Sequence, residues 1–147
     1  MEKTFHMLLY RAFHAQRSYL RPCLGRLGLG SGQPKLLCYL AGHGACSQRE
    51  LADYFEIDPA AVSRMLDSLE RGGFVTRRED RSDRRTGCIT LTQKGQITSA
   101  AWQEYCREME KEMLDGFTDK ERQLFAGFLS RAYHNLKKQD RMGGEEP

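Results

Sequence analysis

Ser47-Gln48-Arg49-Glu50-Leu51-Ala52-Asp53-Tyr54-Phe55-Glu56-Ile57-Asp58-Pro59 holds two helix starts in close succession. Ser47-Gln48-Arg49-Glu50 has the form of a capping box: the serine hydroxyl covers the free N–H of Glu50, and the glutamate reaches back to that of Ser47. The short helix that follows places Leu51, Ala52 and Phe55 on one face and breaks near Ile57. Asp58-Pro59 restarts it. Aspartate is a good N-cap, and proline suits the first helical position, where its missing N–H costs nothing. Two helices joined by so tight a turn read as a helix-turn-helix.

The second helix is expected over 59–71. At about 100° per residue, Val62, Met65, Leu66 and Leu69 fall within one arc. Ala60, Arg64, Asp67 and Arg71 fall on the opposite arc, flanked by Ser63 and Ser68. Gly72-Gly73 ends the helix. Phe74-Val75-Thr76-Arg77 and Cys88-Ile89-Thr90-Leu91 read as two strands, and the loop between them, 78–87, is too charged to fold inward. The expected fold is therefore mainly α: a winged helix-turn-helix lobe over 31–92 with a two-stranded β-wing.

The run Gln48, Glu50-Leu51-Ala52, Asp58, Val62-Ser63-Arg64, Leu69-Glu70-Arg71-Gly72-Gly73-Phe74-Val75, Arg77, Asp83-Arg84-Arg85, Leu91-Thr92 and Lys94-Gly95 resembles the MarR family of multiple antibiotic resistance regulators. The dense match covers 48–95. Many regulators share the helix-turn-helix; Asp-Arg-Arg followed by Leu-Thr-x-Lys-Gly is far more specific. The resemblance implies a dimeric, ligand- or redox-responsive transcription factor, with an effector pocket between the dimer helices and the DNA-binding lobe. It also implies that Asp83 braces the wing and that Arg85 enters the minor groove.

The 147 residues suit one domain, 1–147, with dimerisation helices over 1–24 and 93–139. A net charge of +3 does not by itself indicate nucleic acid; its placement does. No apolar run approaches the ~20 residues needed to span a membrane, and the N-terminus lacks the apolar core of a signal peptide. Five cysteines without a Cys-x-x-Cys pair fit reduced cytoplasmic thiols better than a disulfide framework.

Upstream, the period of Phe5, Leu8, Leu9, Ala12, Phe13, Tyr19 and Leu20 predicts a helix over 3–20, ended or kinked at Arg21-Pro22. Glycines over 25–32 form a connector, not a phosphate loop, since no Gly-Lys-Ser/Thr follows. A second helix is expected over 33–40. Family members carry Leu-Thr-x-x-Gln at its start; here Leu29-Gly30-Ser31-Gly32-Gln33 leaves Ser31 as the cap. Downstream, Thr92 caps a long helix with a stripe of Ile97, Ala101, Tyr105, Met109 and Met113. Asp115-Gly116 breaks it, and Thr118-Asp119-Lys120-Glu121 is a second capping box, opening a helix with Leu124, Phe125, Phe128, Leu129, Tyr133 and Leu136. This much apolar surface outside a small lobe marks an interface, and the expected partner is a second copy of the chain.

The expected DNA contacts are Gln48, Ala60, Ala61, Ser63, Arg64, Asp67 and Arg71 from the helix-turn-helix, and Arg77, Arg81, Arg84 and Arg85 from the wing. Charge on an exposed helix face is by default a solvated face. After a tight helix-turn and before a wing with five arginines against three acids over 77–85, it reads as a DNA face. Asp67 accepts from cytosine or holds Arg64 or Arg71 one turn away. Arg77, at a strand end, pairs with Asp67 or Asp83 or touches DNA.

Phe13, His14, Arg17 and Tyr39 are the candidate effector site for a phenolic or anionic molecule. Cys23 resembles the peroxide-sensing thiol of one family branch, while Cys38, Cys88 and Cys106 read as buried and inert. No close pairing of His6, His14, His43, His134 or the cysteines has metal-ligand spacing, so neither metal nor cofactor is expected. No Gly-x-Ser-x-Gly or paired-carboxylate pattern points to an enzyme. The sequence therefore describes a cytoplasmic, homodimeric repressor of a pseudo-palindromic double-stranded operator, released by a small effector. Its rivals are a cysteine-based redox sensor of the same fold and a winged helix that binds protein. The second leaves the arginine-rich wing unexplained.

Overall fold

The computed structural model describes residues 3–78 and 87–142. Their order is α1 (Phe5–Leu27), α2 (Gln33–His43), β1 (Cys46–Ser47), α3 (Gln48–Phe55), α4 (Pro59–Arg71), β2 (Val75–Arg78), β3 (Cys88–Leu91), α5 (Gln93–Met113) and α6 (Asp119–Met142). The chain divides into two compact units, Met1–Met109 and Glu110–Pro147.

In the first unit the core is the inward face of the helix-turn-helix. Leu36, Leu37, Leu51, Val62, Leu66 and Leu69 are fully buried, with Phe74, Val75 and Ile89 of the wing against them. A wholly buried leucine of this kind contributes about 2–3 kcal/mol. The periodicity of 59–71 therefore placed the right side of α4 inward. Asp58 caps α4 through Ala60 N–H at 3.2 Å. Glu56, in the left-handed region at φ 54°, closes α3 and makes the turn.

Several expectations are corrected. The sheet has three strands, in the order β1-β3-β2, because Cys46 and Ser47 pair with Ile89 and Cys88 just before α3 begins. Helix α1 runs through Pro22 to Leu27 and stops only at Gly28, at φ 71°. Proline removes one hydrogen bond, whereas buried Leu20 and Cys23 on either side of it anchor the helix inward. Ser31 does not cap α2; Gly32 occupies that position at φ 81°, and the side chain of Gln33 accepts from Gly30 N–H at 2.8 Å.

Only half of the first capping box forms as expected. Ser47 Oγ accepts from Glu50 N–H at 3.0 Å, but the Glu50 carboxylate accepts from the Tyr39 hydroxyl at 3.3 Å and from the Cys46 thiol. Burial, and then the charge of Glu50, push the Cys46 thiol from its ordinary 9.0 to about 12. Cys88 is exposed, correcting the expectation of burial, because it sits on the sheet face opposite Cys46 and Ile89.

Helix α5 is attached to the lobe by its first turn. Thr92 Oγ1 accepts from Gly95 N–H at 3.1 Å, as a cap should. The face of α5 that is buried is small and polar, Gly95, Thr98 and Ser99, with Met109 further along. The apolar stripe begins instead with Ile97 at 64% exposure. In the second unit the Thr118 box forms reciprocally: Glu121 N–H donates to Thr118 Oγ1 at 3.1 Å, and Thr118 N–H donates to Glu121 at 2.8 Å. Helix α6 leaves Leu124, Phe128, Leu129 and Leu136 exposed. Among the described residues no helix is long and apolar enough to cross a membrane.

Two predictions follow from the packing. A Cβ on Gly95 would collide with the Phe74 carbonyl oxygen, which as backbone cannot swing away. Gly95→Ala should therefore cost roughly 1–3 kcal/mol in urea unfolding, and an unchanged midpoint would contradict that approach. For the thiols, the fold favours the neutral form of Cys46, so its contribution to stability is complete below pH 9.0 and falls as pH rises from there towards about 12. Iodoacetamide at pH 8 should label Cys88 first and spare Cys46 and Cys23 until unfolding, as read by peptide mass spectrometry. Equal labelling of Cys46 and Cys88 would overturn the assignment of sheet faces.

Candidate nucleic-acid interface

Because Val62, Leu66 and Leu69 point inward, the other side of α4 is available. Ala60, Arg64, Asp67 and Arg71 are exposed, and Ala61 and Ser63 are half-buried beside them. Gln48, the first residue of α3, donates to the Pro59 carbonyl at 3.5 Å and so tethers the two helix starts to each other. Between α3, α4 and the wing lies a groove of about 890 Å³, bordered by Gln48, Ser63, Asp67, Arg77 and Arg78. An α4 with small residues at its N-terminal end and arginines further along has the shape and charge to enter a major groove about 12 Å wide.

Register decides what the wing arginines do. Arg77 is opposite Ile89 and shares its sheet face with Val75, so its guanidinium runs along α4 rather than outward. There it pairs with Asp67 and approaches Glu70 at 3.7 Å. Glu70 also accepts from Arg77 N–H at 3.1 Å, which occupies a donor on the free edge of β2. The acid on the recognition face is thus held by Arg77, not by Arg64 or Arg71. Arg78 is exposed on the outward face with Thr76 and Thr90, whose hydroxyls meet at 2.7 Å. Arg78 is not among the expected DNA contacts, although alternation from buried Val75 places residue 78 outward. Arg81, Asp83, Arg84 and Arg85 lie outside the described residues.

The four effector candidates do not form one site. Arg17 lies over the Phe13 ring, 5.8 Å from its centroid, and donates to Ser31 Oγ at 3.4 Å. His14 stacks on Tyr10 instead. Tyr39 belongs to a separate aromatic cluster: it stacks on His43 at 3.9 Å and tilts against Tyr54 at 4.6 Å. Partial burial, followed by the Glu50 charge and hydrogen bond, holds its phenol above the ordinary range. Cys23 is 5% exposed, so a reagent has little access to its sulfur. Among the described residues no group of three or more His, Cys, Asp or Glu is placed to hold a metal.

Comparison with known proteins meets this geometry. Residues 29–86 match the family model described as MarR family. The HTH-type transcriptional regulator BilQ of Clostridium symbiosum is 31% identical over 103 residues, which cover 69% of this chain and 72% of BilQ. A crystal structure of MarR has a TM-score of 0.80 at 27% identity, covering 99% of this chain and 97% of that one. Bordetella bronchiseptica BpsR, whose DNA binding is regulated by 6-hydroxynicotinic acid, has a TM-score of 0.77 at 23% identity, over 89% of this chain and 94% of that one; this is a likeness of fold. With its capped helix-turn-helix, its three-stranded wing and these relatives, the chain belongs to the MarR family of DNA-binding winged-helix transcriptional regulators.

Proposed function

We propose that this regulator is a cytoplasmic homodimeric repressor that holds a pseudo-palindromic operator through α4 and the wing and releases it when a small phenolic or anionic effector binds. One observation carries the reading. Helix α4 has one side completely buried and an opposite side that presents Ala60, Ser63, Arg64 and Arg71. The alanines allow the backbone close to base edges or a thymine methyl, and Arg64 offers two parallel donors to guanine O6 and N7. Gln48, Arg71, Arg81 and Arg84 contact the duplex alongside it. Arg85 enters the minor groove, Asp83 braces the wing, and Arg78 adds a phosphate contact. Arg77 serves by holding the wing strand to α4.

The exposed apolar faces of α1 and α6 support the dimer, because water-facing apolar patches of this size mark association surfaces. Two recognition helices then address half-sites roughly 34–36 Å apart. For the effector, the support is chemical. BpsR answers to a hydroxylated aromatic acid, and the Phe13–Arg17 pair on α1 offers an aromatic face beside a guanidinium. Such a ligand acts only through its different affinity for the DNA-fit and DNA-unfit states. Effector and operator must therefore weaken each other's binding by the same factor.

Operator fragments selected from genomic DNA with the purified protein, then titrated with a panel of phenolic acids, test the whole reading. Arg64→Ala should cost about 1–3 kcal/mol on the selected operator and relax base preference locally. Arg85→Ala should lose affinity mainly where the flanking minor groove is AT-rich and narrow. Equal, sequence-blind losses from both would show that neither arginine reads sequence. Phe128→Asp places an unpaired charge on the α6 face and should shift sedimentation from dimer towards monomer; a wild type that sediments as a folded monomer at micromolar concentration would sink the dimer.

A further inference from the structure

At the corner where α4 gives way to β2, three consecutive carbonyls point towards α5 and each finds a donor there. Gly72 O accepts from the Lys94 ammonium at 2.7 Å, Gly73 O from the Thr92 hydroxyl at 2.6 Å, and Phe74 O from Thr92 N–H at 3.1 Å. Gly95 has no side chain where one would strike the Phe74 carbonyl, and the Lys94 ammonium lies 4.5 Å above the Phe74 ring. The corner is rigid from its own side as well. Phe74 N–H returns to Leu69 O at 2.9 Å, Gly73 N–H to Glu70 O at 3.0 Å, and the Phe74 ring is buried at 4% exposure. The last carbonyls of a helix have no intrahelical partner and are normally left to water. Here those just past the end of the recognition helix are bonded to the first turn of another helix.

We propose that Thr92, Lys94 and Gly95 are positioning residues for DNA recognition: they clamp the C-terminal end of α4 to the start of α5, so that the two helices move as one body. Lys94 is the adjustable part of the clamp, since it is exposed and its ammonium is the only side-chain group in the set that bears charge. An ammonium at the carbonyl end of a helix is also favoured by the helix dipole. None of the three touches DNA in this proposal. Their effect is on how far the two recognition helices of a dimer can depart from one spacing, which is what lets a displacement of α5 spoil operator binding. The inference rests on the dimeric regulator proposed above.

The test uses the full chain and Lys94→Met, with Lys94→Arg as the conservative control and Thr92→Val as a second way to open the clamp. Each is titrated against the selected operator and against the same operator with one base pair inserted between half-sites. Wild type should lose at least tenfold on the lengthened site. Lys94→Met and Thr92→Val should lose no more than about threefold on going from the first site to the second, and Lys94→Arg should behave as wild type. A tenfold penalty retained by Lys94→Met overturns the proposal, as does loss of the penalty in Lys94→Arg. In the free protein, amide hydrogen exchange at Gly73, Phe74 and Thr92 should quicken at least fivefold in Lys94→Met while Leu36 and Leu37 in α2 stay protected. Unchanged exchange at the corner overturns the clamp whatever the DNA arm shows. A wild type that selects no sequence at all would instead overturn the regulator reading and leave the exchange result to decide the clamp.

Discussion

Among the described glycines the tightest constraint is the approach of the Gly95 backbone to the Phe74 carbonyl. It can be met only without a side chain at residue 95, and it draws together the end of α4, the start of β2 and the first turn of α5. Phe74 fixes the inner side of the same corner. Its ring occupies the space that a Cβ on Gly72 would need, with the nearest ring carbon 2.6 Å from that position. Two glycines with different tasks thus serve one residue: Gly72 leaves room for the Phe74 ring, and Gly95 for its backbone carbonyl. Moving the corner would uncover the ring and take from three carbonyls the donors that the first turn of α5 gives them. The orientation of α4, and with it the whole recognition face, depends on this corner.

A second set of contacts governs charge. Asp67 and Glu70 put two negative charges on the exposed part of α4. Arg77 takes both, and its backbone N–H is taken by Glu70 in return. The same contacts close part of the outer edge of β2, where an unpaired donor row would invite pairing with another strand. Ion pairs with one partner half exposed contribute little to stability. Their value here is geometric and electrostatic: they join β2 to α4 and leave Arg64, Arg71 and Arg78 exposed among the described residues.

Burial is distributed unevenly along the chain. The helix-turn-helix and sheet close over their own leucines, whereas α1 and α6 keep aromatic and aliphatic side chains exposed: Phe5 at 92% and Leu136 at 70% are the extremes. A small domain buries a smaller fraction of its surface than a large one does. Polar Glu50 shows the opposite habit, since its carboxylate is drawn from its own capping box to Tyr39 and Cys46, fastening α3 to α2 and β1.

Local signals were legible without coordinates. Asp58-Pro59, the apolar arc of 59–71, Gly72-Gly73 and Thr92 each act within one helical turn, so the sequence by itself determined the helix-turn-helix, the inward side of α4 and the winged, mainly helical class. It also located Ala60, Arg64, Asp67 and Arg71 on one side of that helix, with Ser63 flanking them. What it misjudged needed partners distant in the chain. Pro22 looked like an end or a kink of α1, and of these the end does not occur, because anchoring of Leu20 and Cys23 outweighed one lost hydrogen bond. Cys46 and Ser47 became a third strand only because β3 passed beside them. Tyr39 was grouped with Phe13 by chemistry, yet α3 brought Glu50 and Tyr54 to it instead. Whether Arg77 faced DNA or Asp67 turned on a sheet register that a single-residue slip would have reversed. Only the tertiary structure decided these points, because the sequence records which groups can bond and the fold alone sets which of them arrive within reach.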